Sequence, residues 1–287
     1  MGDEPSAVGT LYVVATPIGN LADLSERAAA VLRSVDLIAA ESPDHARPLL
    51  AHVGVRTRCV AYNDRNKGRS QGPLVAALGE GKTVALISDA GTPGVSDPGQ
   101  DLVAAAVEAG AGVVPIPGAS AATALISVAG VRTRTVRLLG FLPRKAGERR
   151  SLLETIGASG EPALAFESPH RVARSLADVA AVLPGASLVV GRELTKRHEE
   201  IWRGSAAAAV AHFAPASDGD SVGQGPRGEF TLLIVPGEAL DGGWDEAAVR
   251  EALGEERAAG RKRREASVVV AGKSGWGRSA VYRLWGE

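Results

Sequence analysis

A loop at residues 88–99 carries the clearest chemical signal in the chain. It reads SDAGTPGVSDPG and follows a short apolar run, so it lies at the end of a predicted strand. Its glycines let a ligand approach the backbone closely, and its prolines fix its shape. Asp89 and Asp97 stand where a phosphate-binding loop would carry lysine. The loop therefore favours hydroxyls, an ammonium group or another cation, and it argues against a nucleotide triphosphatase.

Two further segments also follow predicted strands directly: ATPIGN at 15–20 and PIPGASAA at 115–122. Pro17 and Gly19 indicate a tight turn in the first segment, and Ser120 suits the start of a helix in the second. A turn or a helix cap alone would account for either segment. Together with 88–99, however, they would line one crevice at the carboxyl edge of a parallel sheet.

Two segments resemble phosphate-binding loops but lack a glycine that such loops require. Gly81-Lys82-Thr83 and the similar triplet at 272–274 lack the earlier glycine of the P-loop, because Ala76 and Ser267 occupy that position. No GxGxxG follows a predicted strand, so we expect no conventional dinucleotide site.

Charged residues cluster in the second half of the chain, in FESPHR (166–171) and RELTKRHEE (192–200), each after a predicted strand. Basic clusters of this kind contact phosphates in proteins that bind nucleic acid. A solvated charged surface accounts equally well for any one cluster. The basic groups are Arg144, Lys145, Arg149 and Arg150 in one loop, Lys196, Arg197 and Arg203 in another, and the run at 261–264.

Strands and helices alternate along the first half, which predicts a doubly wound α/β domain. Strands are expected at 11–16, 36–41, 57–62, 84–88 and 112–117, with helices at 22–35, 45–53, 72–81, 101–109 and after 118. From about residue 138 a second α/β or α+β domain is expected, with strands at 162–168, 187–194 and 229–237 and helices at 169–182 and 204–213. The tail after about residue 245 is predicted to be helical.

Composition sets wider limits. The chain has 287 residues, enough for two domains, and no apolar run long enough for a membrane span. Its N-terminal MGDEPSAVG lacks the features of a signal peptide, so we expect a cytoplasmic location. The single cysteine excludes a disulfide framework. A net charge of −1 does not demand a nucleic-acid partner.

Taken together, the motifs ATPIGNL, SDAGTPGVSDPG, PIPGASA, GFLPRK, FESPHR, RELTKRHEE and GEFTLLI resemble the tetrapyrrole methylase superfamily, in order, over residues 9–237. The SDAGTP and ELTK segments resemble the branch that methylates ribosomal RNA. The porphyrin-modifying branch carries a Gly-Asp-Pro loop instead.

This resemblance implies two α/β domains of the tetrapyrrole methylase type, at 9–130 and 131–238, with the cofactor cleft between them. A small helical C-terminal module at 245–287, resembling a helix-turn-helix, would follow. The implied activity is S-adenosylmethionine-dependent 2′-O-methylation of a cytidine in small-subunit (16S) ribosomal RNA, alone or within the 30S particle. The resemblance also implies a homodimer. We expect no membrane association, because the sequence lacks a long apolar run.

A ribose hydroxyl needs a base or a cationic group beside it, and charged residues at strand ends are the candidates. Lys196 and Glu167, at strand ends of the second domain, are the first catalytic candidates, and Glu41 and Glu193 follow them. Lys196 would act as a base only if burial lowered its pKa. Substrate contacts are expected from Arg144, Lys145, Arg171 and Arg197, and no metal is expected. The resemblance implies the following cofactor residues: Pro17, Ser88, Asp89, Ala90, Gly91, Thr92, Ser96, Ser120, Ala121, Phe166, Glu229 and Phe230.

One segment departs from the family pattern of Glu-Asp-Thr-Arg, since Ser42, Pro43 and Asp44 follow Glu41. This exchange removes an arginine on the substrate side, where His45 or Arg47 would have to compensate. Two alternatives therefore stay open. One is a methyltransferase of the same fold that acts on a small molecule or a peptide. The other is a catalytically silent RNA-binding assembly factor, which would not bind the cofactor.

Overall fold

The computed structural model describes residues 8–214, 226–237, 246–274 and 278–285. Its first half is built on a five-stranded sheet in the order β3-β2-β4-β1-β5, with every neighbouring pair parallel. The strands are β1 (Thr10–Val14), β2 (Leu37–Ala40), β3 (Arg58–Ala61), β4 (Val84–Ile87) and β5 (Gly112–Ile116).

Helices connect these strands, as the alternating pattern predicts: α1 (Glu26–Ser34), α2 (Pro43–His52), α3 (Lys67–Gly79), α4 (Gln100–Glu108) and α5 (Ala121–Val128). Helix α1 starts later than predicted because the Ser25 hydroxyl caps it, accepting a hydrogen bond from the Ala28 amide. Helix α3 starts earlier than predicted. The prediction missed its first turns because they contain glycines, which usually interrupt helices.

The hydrophobic core lies on both faces of this sheet. Successive residues in one strand face opposite sides, so Ile38 packs with Leu32 on one face and Ala39 packs with Leu78 on the other. Burial on both faces is typical of a parallel sheet covered by helices. The doubly wound prediction is confirmed for this half.

The second half has a mixed sheet in the order β6-β7-β10-β8-β9. Only β6 and β7 pair in parallel, and the other three pairs are antiparallel. The strands are β6 (Arg137–Phe141), β7 (Ala163–Glu167), β8 (Ser187–Arg192), β9 (Glu200–Ser205) and β10 (Phe230–Val235). The helices are α6 (Ala146–Ser159), α7 (Val172–Val182) and α8 (Ala206–His212).

Strands β6 and β9 and helix α6 are missing from the sequence prediction, and α6 includes Arg149 and Arg150, which were assigned to a loop. Strand β9 reads EIWRGS and lies at the sheet edge with partly exposed residues, so it lacks the apolar run that marks a buried strand. The helix predicted to begin at 204 begins at Ala206 instead, because β9 extends to Ser205, whose hydroxyl caps α8.

Three helices follow, α9 (Glu246–Ala258), α10 (Arg263–Ser274) and α11 (Arg278–Leu284), and they share an apolar cluster that includes Leu253, Val270 and Val281. This agrees with the predicted helical tail. The domain boundaries at 9–130, 131–238 and 245–287 stay a prediction. None of the described helices has the length and hydropathy required to cross a membrane.

Helix α5 connects the two halves. Its Leu125 is fully buried in a cluster with Leu164, Val189 and Leu233 of the second sheet. The loop that precedes α5 is therefore held against the second sheet, and a cleft forms there.

Candidate functional site

A cavity of about 400 Å³, here called the cleft cavity, lies between the two halves. A neighbouring cavity of about 280 Å³, the side cavity, shares four lining residues with it: Ile18, Asp89, Ala90 and Glu229. Larger grooves run along α3, but none of the predicted site residues line them.

The cleft cavity brings together most of the predicted cofactor residues: Asp89, Ala90, Gly91, Thr92, Ser96, Ser120, Ala121, Phe166, Glu229 and Phe230. The other two, Pro17 and Ser88, line the side cavity. The sequence thus identified residues from both halves that form one continuous cleft.

Strand order explains why the three loops meet. Strand β1 lies between β4 and β5, so the segments that follow these strands are neighbours. The Thr16 amide donates to the Gly91 carbonyl at 2.8 Å, and the Gly91 amide donates back at 3.1 Å. Gly91 has φ +77, a conformation that favours glycine. The predicted meeting of the three loops at one edge is confirmed.

Ser120 precedes α5, but its hydroxyl makes no capping hydrogen bond. Ser120 and Ala121 both line the cleft cavity. Capping therefore does not explain Ser120, and the start of α5, where backbone amides lack helical partners, borders the cavity.

Three carboxylates from the first half surround one side of the cleft cavity: Glu41, Asp89 and Asp97. Burial raises the pKa of Asp97 to about 7, and the charges of Glu41 and Asp89 add to this effect, while a hydrogen bond from Ser88 opposes it. The sequence indicated that Asp97 helps this loop to favour a cation, but Asp97 was not among the residues assigned to the cofactor or to catalysis. The burial that raises its pKa is not visible in sequence.

Glu167 is buried and fully engaged. Its carboxylate accepts hydrogen bonds from Arg171 at 2.8 Å, from the Ser175 hydroxyl at 2.6 Å and from the Ser168 amide at 2.8 Å. Arg171 also donates to the Leu142 carbonyl at 2.6 Å. This arrangement argues against Glu167 as a base and against Arg171 as a phosphate contact, because each neutralises the other.

Lys196 lines the side cavity, where its Nζ donates to Glu193 at 2.8 Å and to Glu229 at 2.9 Å. Partial burial lowers the pKa of Lys196, but these two carboxylates outweigh it, and the net shift is upward. The condition under which Lys196 would act as a base is therefore not met. The ammonium group instead places a positive charge at the cleft.

The basic residues considered as phosphate contacts fall into two groups. Arg144, Lys145 and Arg197 are exposed, as a phosphate contact requires, with Lys145 paired to Glu148. Arg149 is buried in an ion pair with Asp178, which also binds Arg150 at 2.7 Å. The interpretation of Arg149 as an RNA contact is therefore wrong.

The segment that departs from the family pattern begins α2. The Ser42 hydroxyl accepts a hydrogen bond from the His45 amide, and Pro43 occupies the first turn. Asp44 pairs with Arg47 at the surface, 2.9 Å apart. His45 Nδ1 lies 2.8 Å from Asp89 Oδ2, so α2 is tied to the 88–99 loop beside the side cavity. This hydrogen bond raises the pKa of His45.

Among the described residues, no group of three or more histidine, cysteine, aspartate or glutamate side chains has an arrangement that could hold a metal ion.

The fold resembles that of several solved methyltransferases. Uroporphyrin-III-C-methyltransferase from Thermus thermophilus aligns with a TM-score of 0.52 and 18% identity, covering 78% of this chain and 94% of that chain. Diphthine synthase aligns with a TM-score of 0.57 and 14% identity, and the alignment covers 79% of this chain and 90% of that chain. At such identities the likeness establishes the fold alone, which joins two α/β halves.

Sequence similarity identifies the family. The family model for Tetrapyrrole (Corrin/Porphyrin) Methylases matches residues 10–210, and the chain belongs to this family. Two curated relatives are called ribosomal RNA small subunit methyltransferase I. The protein from Synechocystis sp. is 41% identical over 280 residues, covering 96% of this chain and 97% of the relative. The protein from Mesorhizobium japonicum is 41% identical over 274 residues, covering 95% of this chain and 90% of the relative.

Proposed function

We propose that this protein transfers a methyl group from S-adenosylmethionine to the 2′-oxygen of a cytidine in small-subunit ribosomal RNA. The observation that carries the proposal is the cleft cavity, to which both halves contribute the residues expected of a donor site. The names of the relatives, which match nearly the whole chain, support the RNA substrate.

The residues present fit this donor. Its sulfonium and ammonium groups are positive, and Glu41, Asp89 and Asp97 supply negative charge in the cavity. Phe166 and Phe230 offer apolar surface for an adenine ring. The start of α5 at Ala121 offers backbone amides for the donor's carboxylate. When bound, S-adenosylmethionine supplies an activated methyl group.

The protein's part in the reaction is to position the acceptor oxygen and to manage its proton. Asp97 is our choice of proton acceptor, since it lines the cleft cavity and its pKa of about 7 suits a base near neutral pH. Lys196 contributes a fixed positive charge. Glu41 accepts a hydrogen bond from the Asp89 amide at 3.2 Å and so holds the 88–99 loop in place.

Exposed residues support the proposed partners. Arg144, Lys145 and Arg197 present positive charge to RNA phosphates. Exposed apolar side chains, including Ile126, Val128, Leu138 and Phe141, occupy α5 and the edge strand β6, which is the surface we propose for a homodimer. We place the protein in the cytoplasm, where its proposed substrate is assembled.

The test has two stages. Calorimetry should detect S-adenosylmethionine binding, and labelled methyl should appear on small subunits that lack the modification, at a cytidine ribose by nucleotide mapping. Gly91→Ala should weaken donor binding, because its Cβ would lie in van der Waals contact with Ile18, 3.4 Å away, and would take up space in the cleft cavity that both residues line. Gly110→Ala is the matched control, since Gly110 also has positive φ but has open space around it.

The outcomes separate the candidates. Donor binding with methyl transfer only to a small molecule or a peptide would identify a methyltransferase of different substrate. Absence of donor binding would identify a silent assembly factor and overturn the proposal.

A further inference from the structure

The side cavity contains chemistry that donor binding leaves unused. Its walls combine apolar side chains, including Leu21, Pro48 and Leu49, with the His45–Asp89 and Lys196–Glu229 pairs. Proteins hold a nucleobase taken out of its stack between apolar or aromatic side chains, with hydrogen-bonding groups at its edge.

We propose that the side cavity receives the base of the nucleoside to be methylated, and that the imidazole of His45 contacts the edge of that base. This inference rests on the proposed function, because it assumes that the cleft cavity holds the donor. It adds a binding site for the acceptor and a residue that selects it.

The position of the side cavity supports this assignment. Ile18, Asp89, Ala90 and Glu229 line both cavities, so a group in one lies directly beside a group in the other. A base in the side cavity would place its ribose at this shared border. In-line methyl transfer requires such an arrangement, with the acceptor oxygen next to the methyl carbon.

The charges favour a base over a phosphate. The carboxylates of Asp89 and Glu229 would repel a phosphate. They would tolerate a neutral base, because each already has a partner, His45 for Asp89 and Lys196 for Glu229. A base carries both donors and acceptors at its edge. Phosphates would stay outside, where Arg197 is exposed next to Lys196 in sequence.

His45 is suited to contact a ligand. Asp89 fixes its Nδ1, while 72% of the side chain is exposed. The carboxylate therefore orients the ring and leaves its remaining edge available. His45 directly follows the segment 42–44 on α2.

The first experiment obstructs the side cavity with a larger side chain. Leu21 lies at its rim and is 41% exposed, so Leu21→Trp should obstruct the base without disturbing the core. Methyl transfer to small subunits should fall roughly a hundredfold, the scale of a misplaced reactant. Calorimetric affinity for S-adenosylmethionine and the thermal midpoint should not change. Val107→Trp, at an exposed position on α4 that lines neither cavity, is the matched control.

The second experiment tests the contact itself, with small subunits that carry cytidine or uridine at the mapped target. The wild type should prefer cytidine. His45→Ala should lose about tenfold in kcat/KM on the cytidine target, as expected for one hydrogen bond, and much less on the uridine target.

Several results would overturn the inference. Leu21→Trp with full activity, or with lost donor affinity, would show that the side cavity does not hold the acceptor. Equal losses on both targets would show that His45 does not contact the base. In either case an active wild type preserves the proposed function, whereas a wild type that methylates no subunit overturns both.

Discussion

Gly19 and Lys196 touch so closely that no side chain fits between them. A Cβ atom on Gly19 would lie 3.0 Å from Lys196 Cε, closer still to its Cγ, and 3.1 Å from the Leu194 carbonyl oxygen. Gly19 follows β1 in the first half and Lys196 follows β8 in the second. The lysine therefore crosses the loop of the opposite half before it reaches its two carboxylates.

Gly19→Ala should displace the Lys196 side chain. We expect methyl transfer to fall at least about tenfold, since small shifts of catalytic groups have effects of that size. Gly72→Ala is the control, because a Cβ there meets nothing within 4 Å. Within α3 it should stabilise the protein by about 0.5–1 kcal/mol. Steady-state kinetics and thermal unfolding check both variants, and a fully active Gly19→Ala protein would contradict the prediction.

Lys196→Ala should lower kcat by roughly a hundredfold and leave the affinity for S-adenosylmethionine unchanged, because it removes a fixed charge near the acceptor. Lys196→Arg should recover part of the rate. The pKa of Lys196 is raised, so the group stays protonated at neutral pH and its charge is lost only as pH rises through that raised value. An unchanged rate in Lys196→Ala would remove this residue from the mechanism.

Asp97 should make donor binding depend on pH. Its pKa is about 7, so near pH 6.5 the carboxyl is largely protonated, and a cation beside it favours the ionised form. Binding of S-adenosylmethionine should therefore release up to about one proton and strengthen between pH 6 and 8. Calorimetry in buffers of different ionisation enthalpy measures this release.

Two controls isolate the cause of that proton release. S-adenosylhomocysteine, which lacks the sulfonium charge, should release fewer protons. Asp97→Asn should abolish the release, whereas persistence in this variant would assign it to another group, such as the nearby His45.

Ser120 and Ser25 precede helices but should respond differently to alanine. Ser25→Ala removes a capping hydrogen bond of 3.1 Å and should cost about 1 kcal/mol of stability. Ser120→Ala removes no capping hydrogen bond, so its stability cost should be smaller, while its donor affinity should fall. Chemical denaturation and calorimetry test the pair. A larger stability loss in Ser120→Ala would contradict the assignment.

Arg149 and Arg144 lie in the same basic cluster but have different roles. Arg149→Ala leaves Asp178 with fewer partners in a buried position and should destabilise the protein by about 3 kcal/mol. Arg144→Ala should leave stability unchanged and reduce the salt dependence of RNA binding. Unfolding curves and binding titrations at several salt concentrations would show whether the two effects are indeed separate.

Sequence alone predicted the first sheet, the meeting of the three loops and most residues of the cleft cavity. These features follow from local patterns, since apolar runs define strands and Gly-Pro loops follow their carboxyl ends. Asp97 shows the limit of that approach, because its pKa depends on burial and on Glu41, more than fifty positions away in sequence.

The roles expected for Glu167, Arg171 and Arg149 did not take account of the ion pairs that these residues form. Glu167 and Arg171 are four residues apart, a spacing that permits an ion pair within a helix. Glu167 ends β7 and Arg171 precedes α7, however, so the helical spacing was not informative here. Arg149 and Asp178 belong to different helices, so nothing local distinguishes a buried arginine from an exposed one. Tertiary packing decided both cases.

Strand β10 has a consequence for how the molecule is made. It lies between β7 and β8, and with Glu229 and Phe230 it completes the wall of the cleft cavity, although it comes after all the other strands in sequence. A nascent chain would thus leave the ribosome with its N-terminal sheet formed and a gap in the middle of the next one. Methyl-donor affinity would then arise late in synthesis, when the final strand inserts into that gap.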